Sequence, residues 1–234
     1  MHSIFAKLFA AVAMLLACAV PLSASIQVGD KIKLYDGVGM PGGIFNVDDL
    51  NDGPTNSIEF QTFCVEITEY IGFGTKYAVQ SIGTTTVQGG NTLQPLTAWL
   101  YNSFLNGTLN NFNPTNSYDA NALQLALWIS IGYTHGINSP NSDISKYIGQ
   151  SWYNMYYPKL QAKTWATDFT NSGWSGLGGV QIMNLRGVNS DGIYTTNNQD
   201  QLIREMPEPW SFLVWSVLAI CAGGLGARRH LQSA

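Results

Sequence analysis

The chain has 234 residues and a formal net charge of −4, and 11% of its residues are charged, 45% are hydrophobic and 12% are aromatic. That length suits one domain with its own core together with short terminal segments. The sequence has no basic patch, so nucleic acid is not an expected partner. It also lacks a repeat of fixed period, which disfavours a solenoid or a propeller.

The N-terminus has the order of features that is typical of a secretory signal peptide. Lys7 precedes an apolar run over residues 8–20, and small residues surround Ala24. This order predicts a signal peptide over residues 1–24 that is cleaved after Ala24, and hence an exported protein. Two alternatives stay open. One is an uncleaved membrane anchor, for which the apolar run is short, and the other is a lipoprotein acylated at Cys18.

The body between the two ends spans residues 25–205 and begins with segments typical of β-strands. Residues 26–37 end in a turn signal, residues 58–71 predict a longer strand, and residues 76–88 predict another. A final pair of strands is expected near the end of the body. These last two segments are residues 178–187 and 191–206.

Helical patterns lie between the strand-like segments. Apolar residues at helical spacing predict a helix over residues 93–105, and a second helix over residues 116–133 has Ser117 as its expected N-cap. A third helix is expected over residues 143–168, interrupted by Pro158. Strands, then helices, then strands predict the α+β class, as a single mixed domain of antiparallel strands with a central helical segment.

The C-terminus carries a second apolar segment, over residues 210–227, in a different context. At about 1.5 Å per residue in a helix, this segment is long enough to cross a hydrocarbon core. Two arginines after it would hold that end in the cytoplasm and leave the body outside. The flanking residues are a Pro-Glu-Pro triplet and the arginine pair: Pro207, Glu208, Pro209, Arg228 and Arg229.

In this order, the triplet, the membrane helix and the arginines resemble the PEP-CTERM sorting tail, here over residues 206–234. The resemblance implies an exosortase as partner, which would cut near the triplet and release or re-attach the body. It implies a Gram-negative bacterium with an extracellular polysaccharide matrix. The protein would be tethered to the inner membrane before processing and would lie at the cell surface or in the matrix afterwards. An ordinary C-terminal anchor is the alternative, although it would not need the triplet.

The body contains one cysteine, Cys64, because Cys18 lies in the expected signal peptide and Cys221 in the expected membrane helix. An odd cysteine in an exported protein indicates intermolecular pairing or a reactive thiol. The plainer alternative is a buried thiol that fills the core. In a regular strand, however, Cys64 would point away from the apolar face formed by Val65 and Ile67.

Gln124 is a polar residue in a segment, residues 122–131, that is otherwise almost entirely apolar. A helix that is apolar all round is usually buried, and a buried carboxamide costs a few kcal/mol unless it is hydrogen-bonded. A core hydrogen-bond network is one answer to that cost. The other answer is a chemical reaction between the carboxamide and another group.

Cys64 and Gln124, with their neighbours, resemble the thioester domain of bacterial surface adhesins. Phe63-Cys64-Val65-Glu66 matches the family's aromatic-Cys motif, and residues 123–128, which end in Trp128, match its Gln-containing helix motif. The resemblance implies an internal thioester between the Cys64 sulfur and the Gln124 side-chain carbonyl, formed with loss of ammonia. It implies covalent attachment to an amine, or less often a hydroxyl, of a neighbouring macromolecule, in a single reaction without enzymatic turnover.

Three neighbours of this pair are candidate supporting residues. Trp128 lies one helical turn beyond Gln124 and could shield it. Glu66 is either a general base or a solvated strand residue. His135 is either a proton-transfer group or an ordinary loop histidine.

The sequence predicts no metal or other cofactor. No Cys/His grouping has zinc-ligand spacing, and Asp48, Asp49 and Asp52 lack the remainder of a calcium loop, so an Asx-rich turn is expected there. No GxSxG elbow indicates a hydrolase. The aromatic residues 151–160 favour a second function class, a non-covalent structural or carbohydrate-binding component of the polysaccharide matrix, although core packing is their commoner use.

Overall fold

The fold is built around one six-stranded antiparallel sheet. The computed structural model describes residues 26–39, 42–51, 58–133, 149–189 and 193–205. Neighbouring strands pair in the order β3-β2-β1-β4-β5-β6, and every pair is antiparallel. The strands are β1 (Lys31–Asp36), β2 (Phe45–Asp49), β3 (Phe60–Thr62), β4 (Lys76–Gly83), β5 (Val180–Val188) and β6 (Tyr194–Arg204).

Between β4 and β5, the described residues contain four α-helices. A π-helical turn, Ile129–Tyr133, directly follows the second of them. The described part of the chain therefore has the α+β class and the central helical segment that the sequence predicts. The helices are α1 (Pro95–Leu105), α2 (Ser117–Trp128), α3 (Gln150–Gln161) and α4 (Trp165–Ser172).

The chain that follows β3 joins the two edges of the sheet. β3 pairs with β2 at one edge, whereas residues 63–65 pair with β6, which lies at the other edge. Cys64 forms a bridge pair with Gln201, and the Val65 amide donates to the Asp200 carbonyl at 2.9 Å. This pairing covers backbone groups of β6 that would otherwise remain open at the edge of the sheet. It also fixes the backbone of Cys64 against β6.

The long strand predicted over residues 58–71 is wrong in extent. β3 ends at Thr62, and the next four residues are all buried, with exposures of 0%, 1%, 0% and 0% for Phe63, Cys64, Val65 and Glu66. The expected alternation of faces fails because this segment crosses from one sheet edge to the other and is covered on both sides. Glu66 is therefore not a solvated strand residue.

The second helix, α2, is the most deeply buried of the four. Every residue from Ala120 to Trp128 is buried, and α2 contacts both α1 and α3. The predicted buried helix is thus confirmed, but its cap lies one residue earlier than expected. The Asn116 side chain accepts a hydrogen bond from the Tyr118 amide at 2.8 Å, and Ser117 is the first helical residue.

Two further local predictions need correction. Asp48 and Asp49 lie in strand β2, although Asp49 Oδ1 also accepts a hydrogen bond from the Asn51 N–H at 2.9 Å, as in an Asx turn; Asp52 lies outside the described residues. Pro158 lies inside α3 without ending it. None of the helices in the described part of the chain combines the length and hydrophobicity that a membrane crossing requires. The signal peptide over residues 1–24 and the tail over residues 206–234 lie outside the described residues.

Candidate functional site

Cys64 and Gln124 lie in direct contact. The Cys64 Sγ atom donates a hydrogen bond to Gln124 Oε1 at 3.3 Å, and Gln124 Nε2 donates to the Cys64 carbonyl oxygen at 2.7 Å. Because Oε1 is bonded to the amide carbon over about 1.23 Å, that carbon lies at most about 4.5 Å from the sulfur. The carboxamide is therefore held between two groups of the same cysteine.

The two residues come from different elements, each of which is rigidly placed. Cys64 is fixed by its bridge to Gln201 in β6. Gln124 lies in the middle of α2, where the regular helical backbone and the surrounding core restrict its side chain. The pair therefore connects the point where the sheet edges meet to the most deeply buried helix.

The site is sealed from solvent. Cys64 is 1% exposed and Gln124 is fully buried. Gly42 has a φ of +100°, and a Cβ atom placed on it would lie 3.4 Å from Gln124 Cγ and 3.5 Å from the Trp128 ring. A glycine permits this backbone conformation, and it lets the chain pack closely over the carboxamide and the indole.

The surroundings keep the Cys64 thiol protonated. Burial is the main cause that raises the pKa of Cys64, and the charge of Glu66 raises it further; the backbone N–H of Cys64 and the indole N–H of Trp128 lower it. A protonated thiol is the donor that its contact with Gln124 Oε1 requires. Trp128 Nε1 is buried and has no partner with hydrogen-bond geometry in the described residues, although it lies near enough to the sulfur to lower the pKa of the thiol.

Trp128 also belongs to an aromatic cluster with helix α3. Its ring lies 5.9 Å from that of Trp152, which in turn lies 4.6 Å from the ring of Tyr156. These two residues of α3 are buried, whereas Tyr153 and Tyr157 are stacked on each other and partly exposed. The aromatic segment 151–160 is thus divided between core packing and surface.

Glu66 lies in a buried acidic cluster that the sequence analysis missed. One carboxylate oxygen from each of Glu66, Glu69 and Asp200 lies within 4.8 Å of the others. The first two residues are close in sequence, but Asp200 comes from β6, and only the closure of the sheet brings it near. No local motif could have revealed this group. The predicted support residue His135 lies outside the described residues.

Comparisons with known proteins give one structural likeness. The chain matches no protein-family model and no curated protein. Among solved structures, it is similar to the N-terminal domain of the Streptococcus pyogenes pilus tip adhesin Cpa, with 11% sequence identity, coverage of 79% of this chain and 97% of that chain, and a TM-score of 0.41. A likeness at that TM-score carries no argument about the function of this chain.

Proposed function

We propose that this chain is an exported surface or matrix protein that captures amines covalently through an internal thioester between Cys64 and Gln124. One observation carries the proposal. A solitary thiol and a side-chain amide, from distant parts of the sequence, contact each other in a sealed site, with the sulfur 3.3 Å from the amide oxygen.

Formation of the thioester is a condensation with a simple balance. The Cys64 sulfur attacks the Gln124 amide carbon, the S–C bond forms, and the C–N bond breaks. The thiol proton leaves with the amide nitrogen as ammonia. The thiol proton is directed at Gln124 Oε1, so it must pass to the nitrogen as the C–N bond breaks. No oxidant or cofactor enters the reaction.

Capture is a second acyl transfer, in which an amine of the target takes the place of the ammonia that was lost. The amine nitrogen attacks the Gln124 carbonyl carbon, a C–N bond forms, and the C–S bond breaks. The amine loses one proton and the sulfur gains one, so Cys64 returns as a thiol. The product is a stable amide between Gln124 and the target. Each chain reacts once, so the protein is a reagent and not an enzyme.

The burial of the pair suits this chemistry. A thioester in water is lost slowly to hydrolysis, and a site that excludes water preserves it. Cys64 is a buried free cysteine, and it is the one cysteine in the described part of the chain. A second thiol nearby could divert it into a disulfide. The same site nevertheless needs a local opening before an amine can enter.

The ends of the chain supply the cellular setting of the proposal. The signal peptide expected over residues 1–24 would export the body, and an exosortase would process the tail at the triplet that begins with Pro207. The target would then be an amine-bearing macromolecule at the cell surface or in the polysaccharide matrix of a Gram-negative bacterium. These statements are supported by sequence patterns.

Peptide mapping tests the thioester directly. Native alkylation is uninformative, because a buried thiol of raised pKa resists alkylation whether or not it is bonded. The purified full chain is therefore unfolded and digested at acidic pH. We expect a cross-linked species that joins the Cys64 and Gln124 peptides and is lighter by one ammonia. After methylamine treatment, the species should separate into a free Cys64 peptide and a methylated Gln124 peptide.

A second buried glutamine provides the matched control. Gln201 is fully buried and opposes Cys64 in the sheet, yet its amide nitrogen donates to the Gln199 carbonyl and not to Cys64. Gln124→Ala should abolish the ammonia loss, and Gln201→Ala should retain it. Untreated wild-type chain with two unlinked peptides and no missing ammonia would contradict the proposal and favour the non-covalent structural or carbohydrate-binding alternative.

A further inference from the structure

The acidic cluster of Glu66, Glu69 and Asp200 lies beside the Cys64 and Gln124 pair, on which it acts through the charge of Glu66. Glu66 and Asp200 are fully buried, and Glu69 is 7% exposed. Their three nearest carboxylate oxygens lie within 4.8 Å of one another. Burying three carboxylates together is costly, because like charges repel and each loses its hydration. Some group must compensate for that cost.

Two of the carboxylates are held in place by amide donors. Glu66 Oε1 accepts hydrogen bonds from the backbone N–H groups of Gln88 and Gly89, at 3.2 and 2.9 Å. Asp200 uses both of its oxygens. Its donors are the Val87 N–H at 2.8 Å, the Asn184 side-chain amide at 2.6 Å and the Leu185 N–H at 3.3 Å. The cluster is therefore an ordered arrangement and not a chance crowding of flexible side chains.

Glu69 provides an independent indication that a ligand is expected. Both of its carboxylate oxygens are buried, and neither has a hydrogen-bond partner in the described residues. The Glu66 Oε2 atom is likewise buried and has no partner there. The Gln88 side chain lies near enough to lower the pKa of Glu69, but it does not reach hydrogen-bond geometry. In the described part of the chain, no lysine or arginine forms an ion pair with these three residues. Three buried acceptor atoms on two neighbouring carboxylates thus have no donor among the described residues.

We propose that Glu66, Glu69 and Asp200 bind a hard divalent cation, with Ca²⁺ the best fit. Ca²⁺ binds oxygen ligands at about 2.3–2.6 Å, so two Ca–O bonds in line span about 4.6–5.2 Å. Even if all three separations equal the 4.8 Å limit, a common centre lies about 2.8 Å from each oxygen, so an inward movement of a few tenths of an ångström brings all three within bonding distance of one ion. An all-oxygen ligand set suits Ca²⁺, Mg²⁺ or Mn²⁺ and does not suit softer metals. Waters would complete the coordination shell.

Protons are the competing occupants of this cluster. Burial, the contact with Glu66 and the charges of Glu66 and Asp200 raise the pKa of Glu69 to about 8. Burial, followed by the charge of Glu66, raises the pKa of Asp200 to about 7, against the backbone N–H of Val87 and the other amide donors, which lower it. A bound cation would displace these protons and replace repulsion by attraction.

The cation would join three segments of the fold. Glu66 and Glu69 follow β3, the amide donors at residues 87–89 lie between β4 and α1, and Asp200 belongs to β6. All three segments surround the place where the sheet edges meet at Cys64. The cation would therefore stabilise the backbone that carries the thiol, without contacting the sulfur itself.

Thermal unfolding and calorimetry test the proposal. The purified full chain is treated with EDTA, dialysed, and titrated separately with CaCl₂, MgCl₂, MnCl₂ and ZnCl₂. We expect saturable binding of Ca²⁺, and a rise of several degrees in Tm because the ligand binds only the folded state. Absence of binding and of any Tm shift with all four metals would overturn the proposal, and so would a response to Zn²⁺ alone.

Glu69→Gln is the informative variant, because within the described part of the chain neither Glu69 oxygen accepts a hydrogen bond that the change would break. Its Tm in EDTA should equal or exceed that of the wild type, and its Ca²⁺ response should be lost. Asp200→Asn should lose the response as well, which provides a second reading if the first variant does not fold. Glu205→Gln, at an exposed glutamate, should respond like the wild type.

A cation response retained in both cluster variants would overturn the proposal. The test is independent of the thioester, because it can be repeated in a Cys64→Ala chain. That chain should keep the Ca²⁺ response even though it cannot form the thioester. Loss of the covalent chemistry and loss of the cation are thus distinguishable results.

Discussion

The indole N–H of Trp128 is the one polar group of another side chain that lowers the pKa of Cys64. In the proposed capture reaction, negative charge develops on the Cys64 sulfur as the C–S bond breaks. A donor N–H that lies near that sulfur would stabilise the transition state more than the ground state. Trp128 would thus have a chemical role beyond covering Gln124.

We predict that Trp128→Phe slows methylamine capture by about tenfold or more, the effect expected when a preorganised donor is lost. Folding stability should fall by about 1–2 kcal/mol, because the smaller ring leaves a cavity beside Gly42 and Trp152, although the substitution also removes a buried N–H that has no hydrogen-bond partner in the described residues. The rate is measured by mass spectrometry of the Gln124 peptide, and stability by urea unfolding.

Trp152→Phe is the matched control for this substitution. Trp152 packs on Trp128, and its indole N–H is also buried without a partner among the described residues. The structure gives it no influence on the Cys64 thiol. Its capture rate should stay close to that of the wild type. Equal slowing in both variants would show that packing, and not the indole dipole, is responsible.

Single residues could be predicted from the sequence where their type conflicted with their local pattern. Cys64 was singled out as a lone thiol in an exported body, and Gln124 as a carboxamide in an apolar helix. Glu69 and Asp200 gave no such signal, because each looks like an ordinary charged residue in a strand-like segment. Their relation depends on the pairing of residues 63–65 with β6, which no local pattern contains.

Helices and strands could likewise be predicted from the sequence where their signals are local. Helix α2 could be predicted because its apolar pattern and its polar start are local features, and the β5–β6 pair because both strands are long. Strand β2 was missed because its sequence, Phe45–Asp49, ends in two aspartates that read as turn residues. In the fold these aspartates are buried, so tertiary placement outweighs their intrinsic preference.

The cap of α2 provides a prediction at this scale. Asn116 accepts a hydrogen bond from the Tyr118 N–H, whereas Ser117 already lies within the helix. Asn116→Ala should lower the free energy of unfolding by about 1 kcal/mol, the usual cost of a lost N-cap.

Ser117→Ala separates the cap from its neighbour. At an exposed helical position, serine and alanine differ by a few tenths of a kcal/mol in favour of alanine. Urea unfolding of the two variants should therefore show a loss for Asn116→Ala and little change for Ser117→Ala. The reverse order would assign the cap to Ser117.

At the scale of the whole molecule, both candidate sites depend on the same closure of the sheet. Residues 63–66 carry Cys64 to α2 and Glu66 to Asp200 in one short stretch. Unfolding of that stretch would break the contact between the sulfur and the carboxamide and separate the three carboxylates. A change that destabilises the acidic cluster is therefore expected to weaken the contact between Cys64 and Gln124 as well.

The pH dependence of stability in EDTA follows from this cluster. In the unfolded chain, Asp and Glu have pKa values of about 3.9 and 4.3, whereas in the fold those of Asp200 and Glu69 are about 7 and about 8. Between the unfolded and folded values, the folded state binds more protons than the unfolded state. The contribution of these groups to the free energy of unfolding therefore falls as the pH rises, by an amount on the order of a few kcal/mol.

Glu69→Gln isolates the share of Glu69, since a neutral amide does not titrate and Asp200 is present in both chains. In EDTA the variant should be about as stable as the wild type near pH 5, and more stable near pH 8, where wild-type Glu69 loses its proton. Urea unfolding at several pH values measures the difference between the two chains. A wild-type chain that gains stability relative to Glu69→Gln as the pH rises would contradict the expected sign, and it would mean that these carboxylates are better stabilised in the fold when ionised than when protonated.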